Sequence, residues 1–389
     1  MRLTLHIGTE KTATTTIQHF LLHNQALLAD QGVALSAVGG RGNNRKLAAF
    51  CQPRDGADDF WAHHNLPNVA ARDRFFEGYG EELAAEFAEA ATWADQLVLS
   101  SEHFHSRLRD AAAVTRLRDL VAPHVSEIRV LCYVREQSAT VKSLYSTAVK
   151  SGMVVGFDAF SSQCAPGNPR YDYEMTGALW ASVFGEDAVE FRLFDRDSLL
   201  EGDICADFLN AVDPALEAGA FARLEEDQNE SLGAWGIALG QINNRINPRF
   251  REDGAPNPIS LWVRNALQAS ELAGRGKVAF PGAGEIHAAF DASNRAFAAR
   301  FLGRDDNPFP APRQSAGDAG ALEALEPEAM LAFWESFLEQ LQQAPVLSQQ
   351  EIPRVRQVAR RLKKGKELSE GEIAAMGRIA DRLPAKKRD

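Results

Sequence analysis

The opening of the chain carries the first group of residues that could bind a charged ligand. Residues 3–7 alternate in the way that predicts a buried strand, Gly8 predicts a turn, and residues 17–22 have the apolar spacing of a helix. A strand, a tight loop and a helix N-terminus direct free backbone N–H groups and the positive end of the helix dipole at one point. Between them the chain supplies a positive charge and four hydroxyl donors: Lys11, Thr12, Thr14, Thr15 and Thr16. The pattern predicts a site for an anion such as phosphate or sulfate.

The loop differs from the Walker A phosphate loop, which has a glycine immediately before its lysine. Here Glu10 precedes Lys11, and Gly8 is the only glycine in the loop. A carboxylate beside the lysine is unfavourable for a triphosphate with its magnesium ion. The loop therefore favours a different anion, and a strand–helix junction that is rich in threonine without binding anything is the alternative.

A second pair of side chains suited to an anion lies further along the chain. Residues 127–134 form an apolar strand pattern, Arg135 closes it, and residues 138–151 have helical periodicity. Ser143 is therefore about two turns into that helix. A guanidinium can bond a phosphate in two places, and a serine hydroxyl adds a donor. The pair predicts a second anion site, although an arginine that ends a strand also commonly forms a structural salt bridge.

Apolar runs and helical stretches alternate along the first half of the chain. The runs with the length and composition of strands are residues 3–7, 32–36, 96–100, 127–134 and 189–194. Residues 45–68 predict an irregular surface segment, and residues 70–92 predict one long amphipathic helix. The alternation predicts a P-loop-like three-layer α/β fold, with a central parallel sheet flanked by helices. Because ligands bind beyond the carboxyl ends of such strands, Lys11, Ser101–His103 and Arg135 are expected at one edge of the sheet.

Composition narrows the class of protein. The chain has 389 residues and a formal net charge of −11, which argues against general attraction to nucleic acid or anionic lipid. Its four cysteines are widely spaced, so neither a zinc site nor a disulfide framework is predicted. The sequence shows no signal peptide and no apolar span of about 20 residues. These features predict a cytoplasmic protein without an integral membrane segment.

The domain organisation is predicted from changes in composition. Residues 1–303 are expected to form one domain, whose ligand-binding core occupies about residues 1–215. Residues 304–320 are rich in proline and glycine and predict a linker. Residues 321–389 predict a helical C-terminal extension, in which the basic run at 354–366 is expected to be a solvated helix face.

Taken together, the two anion-binding motifs resemble those of sulfotransferases that use 3′-phosphoadenosine 5′-phosphosulfate (PAPS). The loop from Lys11 to Thr16 is similar to the one that binds the 5′-phosphosulfate in that family, and Arg135 with Ser143 is similar to the strand–Arg–helix–Ser unit that holds the 3′-phosphate. The residues around the second motif, and Ser100-Ser101-Glu102, resemble bacterial members in particular. The resemblance covers roughly residues 2–245.

The resemblance implies a sulfotransferase fold and a role for each matching residue. The implied cofactor-binding residues are Lys11, Thr12, Ala13, Thr14, Thr15, Thr16, Arg135 and Ser143. Lys11 would contact the bridging oxygen and the sulfuryl group, while the loop N–H groups and the Thr14 and Thr15 hydroxyls would hold the 5′-phosphate. Ala13 stands where the family usually has glycine, and a positive φ there would strain the alanine by about 1–2 kcal/mol.

Glu102 and His103 stand where the family's catalytic base lies. The pattern Ser-Ser-Glu favours Glu102 as the base. Because adjacent residues on an extended segment point in opposite directions, only one of the two side chains is expected to face the site. A carboxylate that favours a helix N-terminus is the alternative for Glu102.

The resemblance implies transfer of a sulfuryl group from PAPS to a hydroxyl or amine, with adenosine 3′,5′-bisphosphate as the product and no metal ion. The acceptor is open among carbohydrates, lipids and small molecules, and the oligomeric state is open too. Two alternatives remain: an NTP-dependent P-loop kinase acting on a small molecule, and a sulfotransferase-like protein that binds a nucleotide without turnover.

Overall fold

The computed structural model describes residues 1–223, 231–251, 254, 256–278, 280–312 and 357. The strands of this part of the chain are β1 (Arg2–Gly8), β2 (Val33–Leu35), β3 (Gln96–Ser100), β4 (Glu127–Val134) and β5 (Val189–Leu193). The α-helices are α1 (Thr14–His23), α2 (Gln25–Asp30), α3 (Arg45–Cys51), α4 (Asp59–His63), α5 (Val69–Phe75), α6 (Tyr79–Ala90), α7 (Glu102–Arg107), α8 (Ala111–Val121), α9 (Gln137–Lys150), α10 (Phe157–Ser161), α11 (Tyr173–Phe184), α12 (Ile204–Val212), α13 (Ala234–Ile246), α14 (Pro258–Ala269), α15 (Ala283–Ala289) and α16 (Asp291–Phe301).

The five strands form one sheet in the order β2-β3-β1-β4-β5, and every neighbouring pair is parallel. This arrangement confirms the prediction of an α/β fold with a central parallel sheet. Each predicted strand is present: β3 and β4 have the predicted ends, and the ends of the other three differ by at most one residue. Since all five strands run the same way, their carboxyl ends lie at one edge.

Alternate residues of the strands pack into different cores. On β3, Leu97 and Leu99 belong to a core that includes side chains of α3, α6, α8, α11 and α16. Val98, between them, belongs to a second core with side chains of α1, α2 and α12. The sheet is thus covered by helices on both faces, which explains why its strands read as nearly continuous apolar runs. His6 is buried against Tyr133 and Phe208, and burial lowers its pKa to about 3.

The described residues divide into two compact units. The first is formed by Met1–Thr140, Gln163–Gln228 and Ala283–Pro312 and holds the sheet. The described part of the second comes from Val141–Ser162 and Asn229–Gly282, with its own small core, whose fully packed members are Tyr145, Val149, Leu232 and Ile237. Of the predicted linker, residues 304–312 are described and residues 313–320 are not. The predicted C-terminal extension with its basic run lies outside the described residues except for residue 357.

Two predictions about local structure were wrong. Residues 45–68, expected to be irregular, contain α3 and α4. The single helix expected over residues 70–92 is interrupted between α5 and α6, where Gly78 adopts a left-handed conformation with φ of 74°. Among the helices of the described ranges, none combines the length and the apolarity needed to span a membrane.

Candidate functional site

The register of two neighbouring strands brings the two predicted cations to the same edge of the sheet. Gly8 of β1 is opposite Cys132 of β4, and the Thr9 N–H donates to the Tyr133 carbonyl oxygen at 2.8 Å. Lys11 and Arg135 each follow this link by two residues, and Arg135 is among the charges that act on Lys11. One elongated anion could therefore meet both side chains.

The loop after β1 is braced by its own threonines. The hydroxyls of Thr12 and Thr14 both donate to the Thr9 carbonyl oxygen, at 2.7 and 3.1 Å, and both side chains are buried. The side chains of Thr15 and Thr16 are exposed. In the described part of the chain, the Ile17 N–H donates to the Ala13 carbonyl oxygen at 3.0 Å, whereas no backbone acceptor is found for the N–H groups of Thr14, Thr15 and Thr16. This turn can donate to an anion at the same edge of the sheet.

Ala13 adopts the conformation that the sequence analysis identified as costly. Its φ is 58° and its ψ is 26°, in the left-handed region, and it precedes α1 without a side-chain hydrogen bond to the helix. An L-residue with a Cβ atom is strained there by about 1–2 kcal/mol, whereas glycine is not. The loop therefore has the backbone shape for which glycine is suited.

We expect Ala13→Gly to stabilise the protein by about 0.5–1 kcal/mol, because the relief of strain exceeds the extra freedom that glycine gives the unfolded chain. The measurement is urea unfolding followed by circular dichroism. Ala85→Gly is the matched control. It lies at an exposed position within α6, where the same exchange should destabilise by about 1 kcal/mol. Effects of the same sign in both variants would refute the assignment of strain to Ala13.

Neither cation of the site is paired with a carboxylate in the described part of the chain. Within the described ranges, no Asp or Glu forms an ion pair with Lys11 or with Arg135, whose guanidinium lies 5.9 Å from the Phe194 ring. Both side chains are partly buried. Burial lowers the pKa of Lys11, although Glu10 and Glu102 act in the opposite direction, and burial also lowers the pKa of Arg135. Two desolvated positive charges without partners favour an anionic ligand.

The carboxylate beside the lysine is neutralised by an arginine that sequence reasoning missed. Arg170 donates from Nε and Nη2 to one oxygen of Glu10, at 3.0 and 2.7 Å. Burial is the largest single influence on Glu10 and would raise its pKa, but the charge and hydrogen bonds of Arg170 together with the charges of His105 and Arg107 lower the net pKa. Glu10 thus stays ionised and paired, and it repels an anion in the loop less than its position beside Lys11 suggests.

Glu102 is held by two amide side chains. Gln18 Nε2 lies 3.1 Å from Oε2 of Glu102, and Asn43 Nδ2 lies 3.2 Å from each carboxylate oxygen. The Ser101 hydroxyl donates to Asn43 Oδ1 at 2.6 Å, which fixes the orientation of that amide. The carboxylate is therefore oriented by side chains from α1 and from the loop before α3. Sequence reasoning missed Gln18 and Asn43.

The expectation that Glu102 and His103 point in opposite directions was wrong. Ser101 is extended and caps α7, and its hydroxyl accepts the His103 N–H at 3.3 Å. Both residues thus lie in the first turn of a helix, where neighbours are not opposed, and His103 Nε2 is 3.7 Å from Oε1 of Glu102. Burial lowers the pKa of His103, although Glu102 opposes this shift. Glu102 does lie at the N-terminus of a helix, which was the alternative to a catalytic role for this carboxylate.

Gly8 permits a close approach between the loop and α7. Its φ is 106°, and a Cβ atom at this position would lie 3.1 Å from the Glu102 Cα atom. Any side chain here would push the end of β1 away from the start of α7. The glycine is thus required by both its conformation and its packing.

Ser143 lies in α9, in the part of this helix that is counted with the second unit. It is partly exposed, and its carbonyl oxygen accepts the Thr147 hydroxyl at 3.3 Å. Its predicted contact with a phosphate stays a prediction. Among the residues that the structure describes, no three His, Cys, Asp or Glu side chains gather into a group that could hold a metal ion.

A buried histidine near Glu10 makes stability depend on pH. Burial lowers the pKa of His105 to about 4, although Glu10 raises it, and His105 Nε2 lies 3.4 Å from the Thr176 hydroxyl. In the unfolded chain the pKa is about 6.5. Between these values the unfolded state binds more protons, so stability falls as the pH is lowered through this window.

Through His105, the wild type should lose up to about 3 kcal/mol of its free energy of unfolding between pH 7 and pH 4. We expect this part of the loss to be absent in His105→Gln. Denaturant unfolding at several pH values measures this difference. Substitution of the exposed His63 by glutamine should leave the wild-type dependence intact. An unchanged pH profile in His105→Gln would contradict the shift.

The chain was compared with known families, proteins and structures. No family model matches it, and no solved structure was found to match it. It is similar to an uncharacterized protein of Archaeoglobus fulgidus, with 26% identity over 152 residues. The aligned part is 39% of this chain and 39% of that protein, so the chain matches about two fifths of its relative's length.

Proposed function

We propose that this protein is a PAPS-dependent sulfotransferase with a P-loop-like fold. The observation that supports this proposal most directly is the position of Lys11 and Arg135. They follow the ends of two neighbouring parallel strands, both are partly buried, and neither has a carboxylate partner in the described part of the chain. Two separate cations at one edge suit a ligand that carries two anionic groups, as PAPS does.

The residues present fit this ligand. The free N–H groups at the start of α1 and the Lys11 ammonium would hold the 5′-phosphosulfate. Arg135 would hold the 3′-phosphate, and the contribution of Ser143 stays part of the proposal. When bound, PAPS supplies a sulfuryl group attached to a phosphate leaving group.

The proposed chemistry of the chain's own residues follows from their placement. Glu102 would accept the proton of the attacking hydroxyl or amine, and Gln18 and Asn43 keep its carboxylate oriented for that step. Lys11 would stabilise the charge that grows on the departing phosphate oxygen. His103, 3.7 Å from Glu102, is the second candidate for the base.

Thermal unfolding with different nucleotides tests the proposal. Adenosine 3′,5′-bisphosphate at 100 times its dissociation constant should stabilise the protein by about 2.7 kcal/mol, and ATP with Mg²⁺ at the same concentration should stabilise it less. A response to ATP with Mg²⁺ and none to the bisphosphate would refute the sulfotransferase and favour the kinase. The kinase is kept as a candidate because Arg170 neutralises Glu10, the carboxylate that argues against a triphosphate.

We expect Arg135→Ala to weaken binding of the bisphosphate by about 2 kcal/mol or more, the scale of a charged hydrogen-bonding partner lost from a site. Isothermal titration calorimetry measures the change. The exposed Arg74 of α5 supplies the control, since its replacement by alanine should leave the affinity unaltered. Equal affinities of Arg135→Ala and the wild type would show that Arg135 does not contact the bisphosphate.

A binding protein without turnover is the third candidate. The left-handed Ala13 favours it, because strain in the loop would weaken binding of the phosphosulfate. Incubation with PAPS and a panel of alcohols, phenols, sugars and amines separates this candidate from the sulfotransferase. Binding of the bisphosphate together with no transfer to any acceptor would favour the binding protein.

A further inference from the structure

Large apolar side chains are exposed together on the second unit. Each of the following is 48–54% exposed: Met153, Val154, Ile246, Phe250 and Leu261. They are five of the eleven exposed large apolar residues in the described chain. This number is high for a unit that supplies about a quarter of the described residues. We refer to these five residues as the apolar surface.

Hydrogen bonds connect the segments that carry the apolar surface. The Asn244 side chain donates to the carbonyl oxygens of Val149 and Met153, at 2.9 and 3.1 Å. The Arg264 side chain donates to the Lys150 carbonyl oxygen at 3.2 Å. These bonds join the end of α9 to α13 and α14, so the five side chains belong to one region of the unit.

Phe250 lies at the base of a short loop that is closed by backbone pairing. The residue pairs with Pro256 in an isolated antiparallel bridge, and the Asn257 N–H donates to the Arg249 carbonyl oxygen at 2.9 Å. The Arg249 guanidinium lies 5.1 Å from the Phe250 ring. An aromatic side chain beside exposed arginines has the composition of a segment that inserts at a lipid headgroup boundary.

The charge around the apolar surface is opposite to that of the whole protein. Residues 141–162 and 231–282 of the second unit carry eight Lys or Arg residues and four Asp or Glu residues, whereas the chain as a whole has a net charge of −11. Arg245, Arg249 and Arg251 are all exposed. The surface therefore combines apolar side chains with a local positive charge.

We propose that the apolar surface docks on an anionic membrane. Apolar side chains enter the acyl boundary while the arginines meet anionic headgroups, and both contributions are needed for stable attachment. A second copy of the chain is disfavoured, because a symmetric contact would bring two positive surfaces together. A nucleic acid would use the arginines and leave the apolar side chains in water. The local charge explains how an acidic protein can bind such a membrane at one surface.

Co-sedimentation of the full chain with vesicles tests the proposal. Binding is expected to vesicles of phosphatidylcholine mixed with phosphatidylglycerol, to be much weaker with phosphatidylcholine alone, and to fall as salt is raised. Phe250→Ser combined with Leu261→Ser should lower the affinity by about tenfold or more. Arg249→Gln combined with Arg251→Gln should lower it by about tenfold.

The control variant combines Leu27→Ser and Leu200→Ser, two leucines of the first unit that are each 45% exposed. It should bind vesicles as the wild type does, and all variants should unfold at temperatures close to that of the wild type. No binding to phosphatidylglycerol vesicles, or an equal loss in the control, would overturn the proposal. Self-association that ultracentrifugation detects, and that Phe250→Ser with Leu261→Ser abolishes, would assign the surface to a second copy instead.

Discussion

Lys11→Ala is expected to lower the rate of sulfuryl transfer by about 100- to 1,000-fold, the effect of removing one preorganised charge from a developing anion. Lys11 is partly buried, and in the described chain no carboxylate pairs with it. Its charge is therefore screened less than that of a surface lysine. The assay measures adenosine 3′,5′-bisphosphate released from PAPS in the presence of the acceptor panel.

A different lysine supplies the control for this variant. Lys46 lies over the Tyr79 ring with its ammonium 4.4 Å from the ring centroid. Lys46→Ala should keep the wild-type rate, whereas Lys11→Arg should keep part of it because the charge remains. A rate for Lys11→Ala within threefold of the wild-type rate would show that Lys11 does not stabilise the transition state.

Glu102→Gln is expected to lower the rate by about 100- to 10,000-fold, as a lost general base does. His103→Asn should have a much smaller effect, since the two amides of Gln18 and Asn43 orient Glu102 and not His103. Binding of the bisphosphate should be little changed in either variant, which separates a loss of chemistry from a loss of binding. The same assay of product release applies to both.

The comparison of Glu102→Gln with His103→Asn decides between the two candidate bases. A large loss in His103→Asn together with activity in Glu102→Gln would assign the base to His103, whose pKa is lowered by burial. Asn43→Ala should fall between the wild type and Glu102→Gln, because it frees the carboxylate without removing it. Full activity in Asn43→Ala would show that the orientation of Glu102 does not limit the reaction.

The strands were predicted best from the sequence where the spacing of the apolar residues fits only one kind of secondary structure. The strand predicted over residues 127–134 is β4, with the same ends, and the loop at Lys11 follows β1 as expected. The alternation of strands and helices led to the parallel sheet. The order of the strands was not predicted, because the apolar pattern of each strand is compatible with any neighbour.

The supporting contacts of the site could not be predicted. Arg170 and Glu10 are 160 residues apart, and Asn43 and Glu102 are 59 apart. Nothing in the local pattern of either pair signals the other partner, since the fold alone brings them together. The conformation of Glu102 was misjudged for another reason: Ser101 is an N-cap residue, and this signal for a helix start was not used.

The contact between Gly8 and Glu102 has a mechanical consequence. Because a methyl group at Gly8 would lie 3.1 Å from the Glu102 Cα atom, a displacement of the turn toward α7 would press on the backbone that carries Glu102. If the turn binds a nucleotide as proposed, the resulting displacement would reach the proposed base through this one close approach. A carbon-13 label in the Glu102 carboxylate would consequently report nucleotide arrival through its NMR frequency, even before any acceptor is identified.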